Sequence, residues 1–310
     1  MAYKIFIDGE AGTTGLQIRE RLELRDDIRL IQLDPARRKD PSARRDAFAE
    51  ADIGILCLPD EAAKEAVALT AGMDVRLIDA STAHRVDDRW AYGFAELSGE
   101  QRDQIADAHY VSNPGCYSTG AIAIIAPLVE AGLIYDDEAL SINAVSGYTG
   151  GGKALIAEYE DDDAPAHFLY ALNQHHKHIP EIMVQGGLTV RPIFSPSVGN
   201  YAQGMAVQIP LRLDNDRTMA TLHQALADHY SGQTFVQVVH ADQIGSRIIP
   251  TEMNGTNVVR LSVHGDEAIG CATVVAVLDN LGKGASGAAV QNMNIMLDLD
   301  ETAGLLADED

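Results

Sequence analysis

The chain has 310 residues, of which 46% are hydrophobic and 22% charged, with a formal net charge of −23. A chain of this length buries roughly three quarters of its unfolded surface, enough for two domains without disulfides. The composition excludes a disordered or fibrous chain. The acidity excludes a nucleic-acid binder and an electrostatically anchored membrane protein, both of which need a basic surface.

The first half alternates strands and helices. Residues 3–8 form an apolar strand, followed by a glycine-rich turn and a helix to about residue 24 through Leu16, Ile18 and Leu22. Strands follow at 28–33 and 53–58. A helix at 60–71 is expected to start on Asp60 as its cap and to stop at Gly72. Further strands are expected at 75–79 and 109–112. This order predicts a parallel sheet covered on both faces, an α/β domain. After about residue 113 the texture changes. A helix at 118–131 leads to strands at 139–146, 205–213, 235–240, 257–264 and 268–278, with a helix at 218–230 between them. This predicts an antiparallel or mixed sheet backed by helices. Val290, Met293 and Met296 place a last helix over 285–296, and the acidic run 160–163 reads as a solvated loop.

Three cysteines cannot all pair, and the chain does not resemble a disulfide scaffold. Cys57 and Cys271 lie in apolar runs and read as buried strand positions. Met1-Ala2-Tyr3-Lys4 passes straight into a strand, so no signal peptide is expected. No apolar run approaches the ~18 residues of a membrane span. A reducing, cytoplasmic setting is the expectation.

Four motifs carry chemistry. Gly9-Glu10-Ala11-Gly12-Thr13-Thr14-Gly15 joins the first strand to the first helix. Small residues there let a backbone approach a pyrophosphate, and the helix start supplies N–H donors. A glycine turn for chain packing is the alternative. Asp34 lies where an acid would meet the ribose of NAD, whereas Arg37, Arg38 and Lys39 form a basic cluster suited to the 2′-phosphate of NADP. NADP is favoured over a merely solvated loop. In Asn113-Pro114-Gly115-Cys116-Tyr117 a turn delivers a cysteine to a helix start. There the dipole and free N–H groups favour a thiolate and can hold an adjacent oxyanion. Gln174-His175-His176-Lys177-His178-Ile179-Pro180-Glu181 offers an acid/base for that cysteine. A zinc site is the alternative, but the spacing does not match the usual ligand pattern. Gly147-Tyr148-Thr149-Gly150-Gly151-Gly152-Lys153-Ala154 has the P-loop spacing but lacks its hydroxyl, since Ala154 follows Lys153. The loop still suits an anionic substrate. No metal is expected.

In this order, and together with the tail Lys283-Gly284-Ala285 and Val290-Gln291-Asn292-Met293-Asn294, these motifs resemble the N-acetyl-γ-glutamyl-phosphate reductases, in their shorter form. The resemblance spans nearly the whole chain. It implies a Rossmann NAD(P)-binding domain over 1–114, completed by a C-terminal helix at 283–310. Residues 115–282 would form an α+β catalytic domain like that of glyceraldehyde-3-phosphate dehydrogenase. It implies NADPH-dependent reduction of an acyl phosphate to a semialdehyde with release of phosphate, and assembly as a homodimer or homotetramer. Cys116 would be the nucleophile and His176 the acid/base, with His178 and Glu181 orienting His176 or the substrate. Asn113, Ser146, Gly147 and Lys153 would lie near the substrate. Gly9, Gly12, Thr13, Thr14, Gly15, Arg37, Arg38, Ser81 and Asn280 would meet NADP(H). The stretch 195–204 departs from the longer form. A semialdehyde dehydrogenase acting on aspartyl phosphate, a cysteine hydrolase and a non-catalytic NADP sensor are the competing readings.

Overall fold

The structure, a computed structural model, describes residues 2–161 and 163–305. It divides into two compact units: residues 2–95, 100–115 and 285–305 in the first, 96–99, 116–161 and 163–284 in the second.

The first unit contains β1 (Tyr3–Asp8), α1 (Thr13–Leu22), β2 (Ile28–Ile31), α2 (Pro41–Glu50), β3 (Ile53–Leu56), α3 (Asp60–Leu69), β4 (Arg76–Asp79), β5 (Ala91–Tyr92), α4 (Gln101–Asp107) and β6 (Tyr110–Ser112). The six strands run parallel in the order β2-β1-β3-β4-β6-β5. β3 is buried along its whole length, as a parallel strand covered on both faces should be. Phe6 on β1 meets Phe48 on α2 edge to face, with centroids 4.9 Å apart. Around this pair Leu56, Ala63, Leu77 and Trp90 close the core on that side.

The second unit contains α5 (Cys116–Glu130), β7 (Ser141–Gly147), α6 (Gly152–Tyr159), β8 (His167–Leu169), α7 (Ile179–Gly186), β9 (Ile193–Gly199), β10 (Met205–Arg212), α8 (Met219–His229), β11 (Val236–Val238), α9 (Ala241–Ile244), β12 (Val259–Asp266) and β13 (Cys271–Leu278). Its seven-stranded sheet runs β11-β12-β13-β10-β7-β9-β8. It is mixed: β11–β12 and β7–β9 are parallel, and the other neighbours antiparallel. α5 is apolar nearly all round and lies against this sheet. A β-carbon on Gly120 would stand 2.8 Å from Val207, so helix and strand meet at glycine distance. After β13 the chain passes through a wide π-helical turn (Gly282–Ser286) into α10 (Gly287–Met296), which belongs to the first unit.

Several expectations need correction. Asp60 does not cap α3: Pro59 occupies that position, and both Asp60 carboxylate oxygens accept from Thr82, at its N–H (2.9 Å) and hydroxyl. The helix stops at Leu69, before Gly72. Cys57 lies just past the end of β3, its residue partly exposed but its thiol enclosed, and Cys271 opens β13 and is half-buried rather than interior. The terminal helix ends at Met296; residues 306–310, included in that expectation, lie outside the described residues, as does Asp162 of the acidic run. Within the stretch 195–204, the first five residues belong to β9.

Candidate active site

In the first unit the glycine motif bridges β1 and α1. Gly9 adopts φ +93°, and a β-carbon there would stand 2.3 Å from the Cys57 carbonyl oxygen. The Gly12 N–H donates to Gly9 O at 2.9 Å, and a β-carbon on Gly15 would lie 2.6 Å from the same oxygen. The turn is folded so tightly that side chains would fill it. Gly12 caps α1 without a side-chain hydrogen bond, and the first turn, with Thr13 and Thr14, carries no acid. A backbone cradle with uncapped helix donors fits a dinucleotide pyrophosphate.

The basic cluster beside it is divided. Arg38 Nε lies 3.9 Å from Glu10 of the glycine turn, so this guanidinium stands beside the motif. Arg37 turns instead to Asp40, at 3.0 and 3.2 Å. Asp34 caps the short turn Pro35–Arg37 by accepting from the Ala36 N–H at 2.8 Å. Behind the motif, Asp8 and Arg44 form a buried ion pair with contacts of 2.6 and 3.0 Å. Burial raises the Asp8 carboxyl above its ordinary range despite the guanidinium.

At the end of β4 the fully buried Asp79 accepts from the Ser81 N–H (2.9 Å) and hydroxyl (2.7 Å), and His84 Nδ1 lies 2.6 Å away. Asn113 is buried, and both ends of its amide are engaged within this unit. Nδ2 donates to Ala285 O at 2.9 Å, and Oδ1 accepts from Asn292 Nδ2 at 3.1 Å. Arg85 Nε donates to the Asn113 carbonyl at 2.9 Å. The residue that opens the Pro-Gly-Cys turn is therefore pinned by the Gln-Asn-Met-Asn tail.

In the second unit Cys116 is the first residue of α5 and is half-buried. The next side chain, Tyr117, is buried and donates its hydroxyl to Ser197 O at 2.8 Å. Around it stand His176 (ring centroids 5.9 Å apart), His178 (6.0 Å) and Phe194 (5.4 Å). Tyr170 closes the cluster, its hydroxyl 3.3 Å from His176 Nε2. Burial pushes the Tyr170 phenol up to about 12, and negative charge on the nearby Cys116 adds to the shift. The Tyr117 phenol is raised for the same first reason. The cysteine and the histidine segment are thus joined through one aromatic cluster. His175 is exposed and stands apart from it. His178 takes the N-cap position of α7, with Pro180 and Glu181 in its first turn; His178 and Glu181 are 5% and 1% exposed. Among the described residues no group of three or more His, Cys, Asp or Glu side chains is placed to hold a metal.

The loop after β7 gathers other expected residues. Ser146 is buried, and its hydroxyl donates to Gly147 O at 3.0 Å. A β-carbon on Gly147 would stand 2.4 Å from Ala202 O, so this glycine lets the end of β7 touch the connection between β9 and β10. Asn280 accepts from the Gly204 N–H (2.8 Å) and donates to Thr149 Oγ1 (3.2 Å), tying the loop down. Lys153 is exposed in the first turn of α6. Sequence reasoning missed Tyr170 and Phe194, whose role depends on packing at long separation. It also missed Asp279, fully buried, which accepts from the N–H groups of Gly255 and Leu281, each at 2.9 Å.

Two family models match the chain. One described as semialdehyde dehydrogenase, NAD binding domain, covers residues 32–108, and one described as semialdehyde dehydrogenase, dimerisation domain, covers 116–280. A relative from Rhizobium meliloti named N-acetyl-gamma-glutamyl-phosphate reductase is 54% identical over 96% of this chain and 99% of the relative. One of the same name from Brucella anthropi gives the same figures. Among solved structures, aspartate semialdehyde dehydrogenase II from Vibrio cholerae, complexed with ASA, superposes with a TM-score of 0.71 at 14% identity, over 96% of this chain and 99% of that one. The Candida albicans aspartate semialdehyde dehydrogenase with NADP gives 0.67 at 13%, with the same coverage. At these identities the structural likeness concerns the fold alone.

Proposed function

This chain belongs to the N-acetyl-gamma-glutamyl-phosphate reductase family of semialdehyde dehydrogenases, and we propose that it reduces N-acetyl-γ-glutamyl phosphate to N-acetylglutamate 5-semialdehyde with NADPH, releasing phosphate, in arginine biosynthesis. The observation that carries the chemistry is Cys116 as the leading residue of a 15-residue helix, beside an aromatic cluster that contains His176.

Helix-start N–H groups and the positive end of the dipole favour the Cys116 thiolate. Sγ bonds to the γ-acyl carbon, the carbon–oxygen bond to phosphate breaks, and a thioester remains. The one proton consumed overall goes to the departing phosphate. His176 is the group proposed to deliver it, and Tyr170 holds the imidazole in place. NADPH supplies hydride to the thioester carbonyl. The oxyanion that follows on the cysteine adduct is stabilised by the N–H groups at the start of α5 and by His176. The carbon–sulfur bond then breaks, giving the aldehyde and restoring the thiolate, which closes the proton balance. A thioester suits this sequence because it stays electrophilic toward hydride where an ordinary ester would not.

Gly9, Gly12, Thr13, Thr14 and Gly15 are proposed to hold the dinucleotide pyrophosphate, and Arg38, with Arg37, its 2′-phosphate. We extend the cofactor assignment to Ser81 and Asn280. Asn113, Ser146, Gly147, Lys153, His178 and Glu181 are proposed to bind or frame the substrate. The matched dimerisation model supports a homodimer or homotetramer built through the second unit. Leu169, Val184 and Ile193 of that unit are exposed apolar side chains available for such a contact. No helix among the described residues is long and apolar enough to cross a membrane, and the reaction is assigned to the cytoplasm with the rest of amino-acid synthesis.

The test is substrate choice in the oxidative direction. N-acetylglutamate semialdehyde should support phosphate-dependent NADP⁺ reduction and aspartate semialdehyde should not. The opposite preference would assign the chain to aspartyl phosphate.

A further inference from the structure

The Lys283-Gly284-Ala285 segment lies in the π-helical turn after β13. Gly284 is not among the glycines with positive φ, so its backbone conformation does not require glycine. Its surroundings do. A β-carbon on Gly284 would stand 2.8 Å from Cβ of Cys116 and 3.2 Å from its Cα. Cβ carries the sulfur, and both atoms belong to the first residue of a long, buried helix that cannot swing aside.

The turn is equally fixed. The Gly284 N–H donates to Asp279 O at 3.0 Å. The Asp279 carboxylate takes the N–H of Leu281 and of Gly255, each at 2.9 Å, and lies 3.3 Å from Gln203 Nε2. A β-carbon on Gly282 would meet Thr256 O at 2.3 Å. Lys283 is buried and donates to both oxygens of the buried Glu96, at 2.7 and 2.8 Å. A buried pair of this kind is a strong anchor, because losing either partner strands a charge.

We infer that Gly284 is a positioning residue for Cys116: a bare stretch of backbone, braced by Asp279 and by the Lys283–Glu96 pair, that sets the direction of the Cys116 Cα–Cβ bond and so the position of Sγ. This inference rests on reading Cys116 as the nucleophile. A methyl group at 284 must push either the turn or the helix start, and displacement of a reacting atom by about 1 Å costs on the order of 100-fold in rate.

The experiment pairs Gly284→Ala with the double variant Lys283→Met/Glu96→Gln, which removes both buried charges together. Each is measured for kcat, for KM of the semialdehyde, and for the pH dependence of iodoacetamide alkylation read at the Cys116 peptide by mass spectrometry. Gly284→Ala should lower kcat on the order of 100-fold with KM nearly unchanged. Its alkylation profile should move to higher pH, because the sulfur leaves the helix-start donors. The double variant should show the same pattern more weakly. If Gly284→Ala fails to fold, the double variant decides. Wild-type kcat together with a wild-type alkylation profile in the folded variants would overturn the inference, even if thermal stability fell. Cys116→Ala is measured alongside. Activity retained there would overturn the nucleophile reading itself, whereas an inactive Cys116→Ala with a fully active Gly284→Ala would sink the positioning role alone.

Discussion

The backbone N–H of His178 donates to Nδ1 of His176 at 3.1 Å. In the neutral imidazole this puts the ring proton on Nε2, the nitrogen 3.3 Å from the Tyr170 hydroxyl. His176 therefore presents a donor in a defined direction, as an oxyanion requires; delivery of a proton to the departing phosphate takes the ring in its doubly protonated form. His175 is exposed on the neighbouring turn, where its backbone N–H donates to Asn173 Oδ1. His176→Asn should lower kcat by roughly 10²- to 10⁴-fold, the usual contribution of a positioned acid/base. His175→Asn should leave kcat nearly unchanged. Steady-state kinetics on both variants checks this; equal losses would mean that a different histidine acts.

Cofactor preference should reside on the loop after β2. Replacing Arg37 and Arg38 by Ala should weaken NADPH more than NADH, since only the former carries the 2′-phosphate. The geometry makes the two arginines unequal: Arg38 stands near Glu10 of the glycine turn, whereas Arg37 is occupied by Asp40. The single variant Arg38→Ala should therefore account for most of the change in the NADPH/NADH ratio of KM. An unchanged ratio would return the cluster to a solvated loop.

The cysteines should react in a fixed order. Burial pushes the Cys57 thiol up to about 12, with the Asp79 and Asp8 charges adding to the shift. At pH 8 its thiolate fraction is then about 10⁻⁴, and the thiolate is the reactive form. Cys116, at the helix start, should alkylate first as pH rises from neutrality, and Cys57 should remain unlabelled. Peptide mapping after timed iodoacetamide treatment reads this directly. Labelling of Cys57 ahead of Cys116 would contradict the activated-thiol reading.

The Asp8–Arg44 pair behind the glycine turn governs stability. Arg44→Met should destabilise the fold by about 3–5 kcal/mol, because it strands a buried carboxylate. The sign of the pH dependence follows. The folded-state Asp8 pKa lies above its ordinary 3.8, and loss of the guanidinium raises it further. In that window the folded state binds more protons than the unfolded state, so stability is greatest below it and falls as pH rises through it. Urea unfolding of Arg44→Met at acid and neutral pH should show lower stability at neutral pH. Asp8→Asn/Arg44→Met should recover much of the loss.

Much of the first unit was legible because its strands are short apolar runs with helix punctuation between them. α2 was overlooked although Asp40-Pro41 announces it: the Asp40 carboxylate accepts from the Ser42 and Ala43 N–H groups and Pro41 takes the first helical position. β9 was hidden for a different reason. Ser195-Pro196-Ser197 has no apolar alternation and carries a proline, yet the stretch pairs with β7 along its whole length and with β8 on the other side. Neighbouring strands override local propensity there. At the candidate site the chemistry-bearing residues were readable from motif and spacing. Tyr170, Asp279 and Gly284 were not: the Tyr170 hydroxyl meets His176, Asp279 takes the Gly255 N–H and Gly284 abuts Cys116 far along the chain, approaches that no local pattern encodes.

The central claim is the covalent role of Cys116, and phosphate-dependent NADP⁺ reduction with N-acetylglutamate semialdehyde tests it most directly. Wild-type protein should turn over only when phosphate is present. Cys116→Ala should show no turnover while NADPH titration gives nearly unchanged binding. Phosphate-dependent reduction by Cys116→Ala at a rate comparable to wild type would contradict the account.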